Sequence, residues 1–286
     1  MTRTLFSVIG TGLLSAVFQL SAQAPEPPKV LQIIREDIKE GKSAAHEKSE
    51  AKVAQAMAKY HSPVYYLGMT NQTGTSQAWF MAAFDSFASV ADAMALYEKT
   101  PEFETLDATD SEYRTGSHVC LAVYRPDLSY HAAQGEETLS KARYFNVTTI
   151  HVRLGHQPEF AELVKTGISA VEKAASDQPM VMYQVVSGMP AGTYLAMEPA
   201  ASLKTMDEAP ARGRAVMQAM GESDFHKFLK NVGEVVVNEE PILLSINPVM
   251  SYVPKAFAAE DPDFWTPAQP KTVSKAKPPE KTVAAK

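Results

Sequence analysis

The sequence predicts an α+β protein made of two tandem ferredoxin-like βαββαβ repeats, whose sheets pack face to face to form an α/β barrel. Three observations predict this fold class. The chain resembles itself, element by element and in the same order, over residues 30–131 and 144–253. Each half alternates strand patterns with helix patterns. Several strands are apolar on both faces, which is typical of a sheet that is covered on both sides.

The two repeats open in the same way. Residues 30–42 align with residues 144–156, and each segment is a strand pattern that runs into a glycine turn, at Gly41 and at Gly155. An apolar stripe at helical spacing follows each turn. In the first repeat it comprises His46, Ser49, Val53, Met57 and Tyr60, and in the second Phe160, Leu163, Val164, Ile168 and Val171.

The remaining elements also recur in order. Residues 63–66 align with 179–183 as second strands, and each is followed by a turn that contains glycine. Trp79 and Phe80 align with Tyr194 and Leu195 in the third strands. Ser86 is placed to cap a second helix. The fourth strands carry the closest match, between residues 121–130 and 244–252.

One face of each predicted sheet would be bare, because both helices of a βαββαβ unit lie on the same side. In the third strand, residues 78–84 are almost all apolar on both faces. Exposing such a face to water costs roughly 25 cal/mol for each Å² of apolar area. Pressing the two bare faces together removes that cost, and this explains why the pattern begins again at Tyr144.

The strand–glycine–helix openings resemble those of the dimeric α/β-barrel superfamily, which includes the antibiotic biosynthesis monooxygenase and NIPSNAP groups. The segments that carry the resemblance are IIREDIKEGKSAAHEK, residues 33–48, and VTTIHVRLGHQPEFAELVK, residues 147–165, with Gly155 and Phe160 in typical places. The resemblance covers residues 30 to about 253 and includes no catalytic signature. It implies a barrel with a cavity between its sheets. Members range from cofactor-free oxygenases to haem enzymes and proteins of unknown role.

The ends of the chain have the composition of targeting and linking segments. Residues 1–24 read as a signal peptide, with Arg3, an apolar run and a small-x-small end at Ala24, so we expect a periplasmic or secreted protein. A short membrane anchor is the alternative reading. Residues 25–29 form an extended leader, and residues 132–143 link the repeats. Residues 254–286, rich in Pro, Lys and Ala, predict a disordered tail.

Net charge, hydropathy and cysteine content argue against nucleic-acid binding, further membrane spans and internal disulfides. The net charge of −6 argues against nucleic-acid binding, which needs a clustered basic surface. No apolar run outside the signal could span a membrane. Cys120 is the only cysteine, so no internal disulfide forms, and its apolar surroundings predict a small buried side chain. The protein is expected to be a monomer or a homodimer.

A ligand site between the two sheets is predicted from rings and polar groups on the strands. Arg35 and Asp37 share a strand face with Leu31 and Ile33, and His151 occupies the position that matches Asp37. Aromatic side chains would form the walls of the site. They are Tyr66, Trp79, Tyr183 and Tyr194. The alternative is that Arg35, Asp37 and His151 lie at the barrel rim in water.

Three function classes remain open, and whether the protein is an enzyme is not decided by the sequence. The first is a protein that binds a small, aromatic or apolar ligand between its sheets. The second is a cofactor-independent monooxygenase acting on an aromatic or quinone-like substrate. The third is a haem-binding enzyme with His226 as the iron ligand, although a lone helix histidine is more often a surface residue. No catalytic, nucleotide-binding or metal motif occurs, so neither a cofactor nor a metal is predicted.

Overall fold

The structure, a computed structural model, describes residues 26–266. The predicted signal peptide, the first residue of the leader and residues 267–286 of the predicted tail lie outside the described residues. The first repeat comprises β1 (Val30–Ile38), α1 (Ser43–Lys59), β2 (Tyr66–Asn71), β3 (Gln77–Phe84), α2 (Phe87–Glu98), α3 (Pro101–Asp110) and β4 (Arg114–Tyr124). A short helix, α4 (Ala132–Thr138), lies in the linker.

The second repeat has the same order of elements. It comprises β5 (Tyr144–Val152), α5 (Gln157–Lys173), β6 (Val181–Ser187), β7 (Thr193–Ala200), α6 (Lys204–Met220), α7 (Glu222–Val235) and β8 (Val236–Ile246). Helices α1 and α5 each have 17 residues, and Ser86 caps α2 through a capping box with Ser89. The tandem ferredoxin-like arrangement predicted from the sequence is therefore confirmed.

The eight strands form one closed antiparallel barrel in the order β1-β3-β2-β8-β5-β7-β6-β4. Each repeat contributes four adjacent strands, and the repeats meet at two seams, β2 with β8 and β4 with β6. Gly188 lies beside the second seam at φ +88°, where an added Cβ would lie 2.1 Å from the carbonyl oxygen of Val119. The predicted face-to-face packing is thus completed by pairing of the sheet edges, which leaves none of the described strands with a free edge.

The barrel interior holds the main apolar core, and the helices cover the outside. Inward-facing side chains from both repeats form one cluster, with Ile33, Val147 and Leu244 completely buried. Cys120 belongs to this cluster, and its predicted burial is confirmed. Separate apolar clusters lie between the helices and the outer faces of the two half-sheets. The strands are therefore apolar on both faces because each face packs against a different layer.

The two ends of the barrel differ. Every neighbouring pair of strands is antiparallel, so β1 and β5, four steps apart, run in the same direction. The end where β1 and β5 finish carries the turns at Gly41 and Gly155, and we call it the turn end. At the other end, the start end, the linker and the residues after the second repeat pack over the opening.

The segment after residue 254 is folded as far as residue 266, so the predicted disordered tail is wrong for this part. Helices α8 (Lys255–Ala259) and α9 (Pro262–Trp265) pack on the start end. Trp265 is only 6 % exposed, and its indole N–H donates to the carbonyl oxygen of Ser140 at 2.8 Å. Composition indicated disorder because the many lysines and prolines outweigh the three aromatic residues that anchor this segment.

Within residues 26–266, no helix is both long enough and apolar enough to cross a bilayer.

Candidate functional site

Two of the predicted ligand residues lie together on the inner face of the barrel. The guanidinium of Arg35 lies over the ring of Trp79, 5.4 Å from its centroid, because β1 and β3 place the two residues directly opposite each other. The indole N–H of Trp79 donates to Oε1 of Gln77 at 3.1 Å. The hydrogen bond to Gln77 satisfies the indole N–H, and the ring of Trp79 packs into the core.

Asp37 and His151 both lie at the turn end, but each is paired within its own repeat. Asp37 accepts a hydrogen bond from Gln77 at 2.7 Å and lies 3.0 Å from Nε2 of His118. Nδ1 of His151 lies 3.0 Å from Oγ1 of Thr193. The side chains of Asp37 and His151 are 36 % and 22 % exposed. This placement agrees with the rim alternative.

Tyr183 lies at the start end of the barrel, away from Arg35 and Trp79. Its hydroxyl donates to the carbonyl oxygen of Pro28 at 3.0 Å, and burial raises the pKa of this phenol. Tyr183 lines an apolar space of about 280 Å³, which we call the barrel-end cavity. Its other walls include Leu31, Ala83 and Phe145, with Glu136 of the linker helix as the ionisable group. Burial raises the pKa of Glu136.

The rings of Tyr66 and Tyr194 pack on the outer face of the barrel. The prediction that they line the space between the sheets is wrong for Tyr194, whereas Tyr66 also borders the barrel-end cavity. Tyr66 packs edge-on against Phe80, and Tyr194 packs against Phe160 of α5. Residues one position apart in a strand point to opposite faces, so a shared residue type does not place two rings on the same side. The seven predicted residues are thus divided among four places in the fold.

A second space lies beside buried ionisable groups, between the sheet of the first repeat and its helices. This helix-side cavity has a volume of about 480 Å³. Its walls are mainly apolar, and they include Met57, Phe80, Ala82 and Phe103. Helix α2 covers one side with Ala93, Met94 and Tyr97. Glu36 and Glu50 add carboxyl groups to the lining.

Beside this cavity, four ionisable side chains form a buried group that we call the acid cluster. It consists of Glu36, His46, Glu50 and Asp110. One oxygen or nitrogen atom from each of the four side chains lies within 4.8 Å of those from the other three. Nε2 of His46 lies 2.8 Å from Oε2 of Glu36 and 3.5 Å from Oδ2 of Asp110. The four residues come from β1, α1 and α3, which meet because α1 and α3 pack together over the sheet.

Arg114 supplies positive charge at the edge of the acid cluster. Its guanidinium contacts the carboxylates of Glu36 and Asp107 and lies 3.7 Å from Oδ2 of Asp110. Even so, desolvation and then repulsion from Asp110 and Glu36 raise the pKa of Glu50 from 4.5 to about 9. Desolvation also raises the pKa of Asp110. The cluster therefore holds carboxyl groups that ionise only at a high cost without a compensating cation.

Neither side-chain oxygen of Asp110 has a hydrogen bond of ordinary geometry within the described residues, although the side chain is 1 % exposed. Its nearest polar neighbours are Nε2 of His46 at 3.5 Å, the guanidinium of Arg114 at 3.7 Å and the hydroxyl of Ser49. The hydroxyls of Ser49 and Tyr66 are likewise unpartnered within the described part of the chain. Buried polar atoms are normally hydrogen-bonded, because burying them unpaired costs several kcal/mol, on the order of 2–7. Unpaired atoms at three neighbouring side chains mark this region as unusual.

Comparison with known proteins finds similarity in structure only. No family model matches the chain, and no curated protein matches its sequence. A candidate monooxygenase from Fusobacterium nucleatum matches with a TM-score of 0.51 and 10 % identity, over 77 % of this chain and 93 % of that one. A candidate chlorite dismutase matches with a TM-score of 0.50 and 13 % identity, over 78 % and 96 %. At these identities the similarity shows a shared fold, the α/β barrel built from ferredoxin-like units.

His226, which the sequence suggested as a haem ligand, does not lie in a position suited to binding haem. His226 lies on α7 with a side chain that is 70 % exposed and 3.9 Å from Glu222. It lines neither the helix-side cavity nor the barrel-end cavity within the described residues. A buried axial ligand beside a pocket is what haem binding needs. His226 therefore does not fit that role.

Sequence reasoning missed the acid cluster of this α/β barrel, although one signal was available. His46 was assigned to an apolar helix stripe, where it aligns with Phe160. Likewise Glu36 aligns with Ile150 and Glu50 with Val164 in the second repeat. Where one repeat has an apolar residue at a core position and the other repeat has a polar residue at the matching position, that polar residue is expected to be buried. Reading the repeats for their differences would have identified it.

Proposed function

We propose that this protein binds a small, largely apolar molecule with one polar group in the helix-side cavity of the first repeat. The observation that carries the proposal is the shape of that cavity: about 480 Å³ of mainly apolar wall with Glu36 and Glu50 on one side. Ligand sites in proteins are typically apolar clefts of this size with a few converging polar groups, including groups with shifted pKa values.

Helix α2 provides access to this cavity. Val90 is the one fully buried residue among its 12, while Met94 and Tyr97 line the cavity and are 54 % and 41 % exposed. A helix held by so few buried contacts moves at low free-energy cost. A ligand beneath it would bury part of the exposed Met94 and Tyr97 surface.

The barrel-end cavity supports a second candidate site, which keeps the ligand between the two sheets. It has apolar walls and a half-buried carboxyl group, Glu136, with a raised pKa. A protonated Glu136 would donate a hydrogen bond to a carbonyl or hydroxyl group of the ligand. Its volume of about 280 Å³ would suit a smaller molecule than the helix-side cavity accepts.

Two neighbouring residues of β3 provide a direct test between the sites. Ala82 lines the helix-side cavity and Ala83 lines the barrel-end cavity, because successive strand residues point to opposite faces. Ala82→Phe should fill the first space and Ala83→Phe the second. We expect 1-naphthol to raise the melting temperature of the wild type and of Ala83→Phe, but not of Ala82→Phe. If Ala83→Phe loses the shift in melting temperature and Ala82→Phe keeps it, the barrel-end site is favoured. If neither 1-naphthol nor the fully apolar naphthalene binds the wild type, both candidate sites are contradicted.

Catalysis is not part of this proposal, but it can be measured on the same material. The neighbour from Fusobacterium nucleatum is a candidate monooxygenase. Oxygen uptake in the presence of each molecule that binds would test whether the protein also oxidises its ligand. Uptake that Ala82→Phe abolishes would turn the binding proposal into an enzymatic one.

Export also belongs to the proposal, and it rests on the composition of residues 1–24 alone. The mature protein would begin at Pro25 and reside in the periplasm or outside the cell. Intact-mass measurement of protein recovered from expressing cells tests this, since retention of residues 1–24 contradicts cleavage.

A further inference from the structure

The acid cluster lies at positions where the same fold, in the same chain, uses apolar residues. Glu36 is the seventh residue of β1, and Ile150 is the seventh of β5. His46 and Glu50 are the fourth and eighth residues of α1, where α5 has Phe160 and Val164. These counterparts contribute to the apolar cluster of the second repeat.

Asp110 also has an apolar counterpart, Val232, in the second repeat. It ends α3 four residues before β4 begins at Arg114, and Val232 lies four residues before β8 begins at Val236. The second repeat therefore builds this layer from Ile, Phe and Val, without a buried charge at any of the four positions. Because apolar residues suffice for the fold, the polar set of the first repeat is not a requirement of folding. Arg114 offsets part of the negative charge, and three buried carboxyl groups beside a single guanidinium leave room for a further compensating cation.

We propose that Glu36, His46, Glu50 and Asp110 bind one divalent first-row metal ion, such as Mn²⁺, Fe²⁺ or Zn²⁺. Three carboxylates and one imidazole are a donor set that these ions accept. The proposal goes beyond the binding of an apolar ligand and does not depend on it, because the four side chains face one another whether or not the cavity is filled.

The geometry needs only a small adjustment. Carboxylate oxygen and imidazole nitrogen bind such ions at about 2.0–2.2 Å, so two ligands of one ion lie at most about 4.4 Å apart. The cluster atoms already lie within 4.8 Å of one another. Small rotations of the longer side chains, which move their terminal atoms by about 0.4 Å, bring the ligand atoms within this distance.

An independent observation points to the same ion. Asp110 is 1 % exposed, its carboxylate meets His46 at 3.5 Å and Arg114 at 3.7 Å, and neither of its oxygens has a hydrogen bond of ordinary geometry within residues 26–266. A cation bound between Glu36, Glu50 and Asp110 would supply the missing partner. It would replace the contact between His46 and Glu36, and Arg114 would continue to hold the second oxygen of Glu36.

The ion would also have access to the cluster. Glu36, Glu50 and Arg114 line the helix-side cavity, which extends to the exposed residues Met94 and Val119. The cavity therefore leads from the protein surface to the carboxylates. This also leaves space for water, or for the polar group of a bound molecule, beside the ion.

The test uses the full chain after treatment with EDTA and extensive dialysis. Titration with Mn²⁺, Zn²⁺ and Co²⁺ should show one ion bound per chain by calorimetry, with a rise in melting temperature. Asp110→Asn and Glu50→Gln preserve side-chain shape and should each weaken binding at least tenfold. The control is Glu222→Gln with His226→Gln, an exposed carboxylate–histidine pair 3.9 Å apart, which should leave the affinity unchanged.

Three results would overturn the proposal. They are a wild type that binds none of the three ions, cluster variants that bind as tightly as the wild type, and loss of binding in the Glu222/His226 control. If the cluster variants do not fold, the Co²⁺ absorption spectrum of the wild type decides. Carboxylate and imidazole ligands give d–d bands without a sulfur charge-transfer band, whereas a strong near-ultraviolet band would implicate Cys120 and contradict the site. Naphthol binding is measured separately, so failure of one proposal is distinguishable from failure of the other.

Discussion

Replacing Trp265 by alanine tests whether the segment after the second repeat holds the start end of the barrel together. The side chain is 6 % exposed and packs edge-on against Phe257 and Phe264, with ring centroids 5.1 and 5.0 Å away. A buried tryptophan removes roughly 200 Å² from water, which at about 25 cal/mol per Å² corresponds to about 5 kcal/mol. Measured losses for large aromatic residues are about 3–5 kcal/mol. We therefore expect Trp265→Ala to lower the free energy of unfolding by about 4 kcal/mol.

Trp265→Phe is the matched variant, because it retains a ring and removes the hydrogen bond to Ser140. Its expected cost is about 1–2 kcal/mol. Urea denaturation followed by fluorescence and by circular dichroism measures both changes. The chain has two tryptophans, so in either variant the fluorescence reports only Trp79, inside the barrel.

The two probes also distinguish local from global unfolding. If residues 255–265 detach before the barrel opens, the measured loss is limited to the docking free energy of this segment. Trp265→Ala would then have the same stability as a chain that ends at residue 254. Equal stability of Trp265→Ala and the wild type, within about 0.5 kcal/mol, would refute the packing described for this end of the barrel.

Four further substitutions have expected outcomes. Gly188→Ala should destabilise the protein by at least about 2 kcal/mol in urea denaturation, because of its positive φ and its contact with the seam. Gly213→Ala, in open space within α6, should instead stabilise it by about 0.5–1 kcal/mol. Ser86→Ala should remove a helix cap and lower the melting temperature by about 2–4 °C for each kcal/mol lost. Because burial raises the pKa of Glu136, the folded state holds this proton above the unfolded value of 4.5. Stability should therefore fall as the pH rises from 4.5 through the folded pKa, and Glu136→Gln should remove that part of the pH dependence.

The fold could be predicted from the sequence because duplication gives each element two independent signals. The turns at Gly41 and Gly155 and the apolar stripes of α1 and α5 support one another, although each alone is weak. Face-to-face packing of the two sheets followed from the apolar character of both strand faces, and the resemblance implied the barrel. The folded segment at residues 255–265 was missed because its anchor is one tryptophan docked on a distant element, which composition does not reveal.

The candidate sites were harder to predict, since a site depends on which face each residue occupies. Arg35 and Trp79 lie on the inner face, where they pack against each other. The strand pattern gave no register for Tyr66 and Tyr194, and both lie on the helix side. The acid cluster depends on α3 reaching α1, a tertiary contact that no local pattern contains.

Carrying both half-barrels on one chain changes how the closed barrel responds to dilution. A barrel assembled from two separate chains dissociates when its concentration falls below the dissociation constant, so its apparent stability depends on the amount of protein present. Here residues 132–143 tether the second half to the first, which makes seam closure an intramolecular step with an effective concentration in the millimolar range for short linkers. The barrel should therefore persist in a compartment where the protein is scarce.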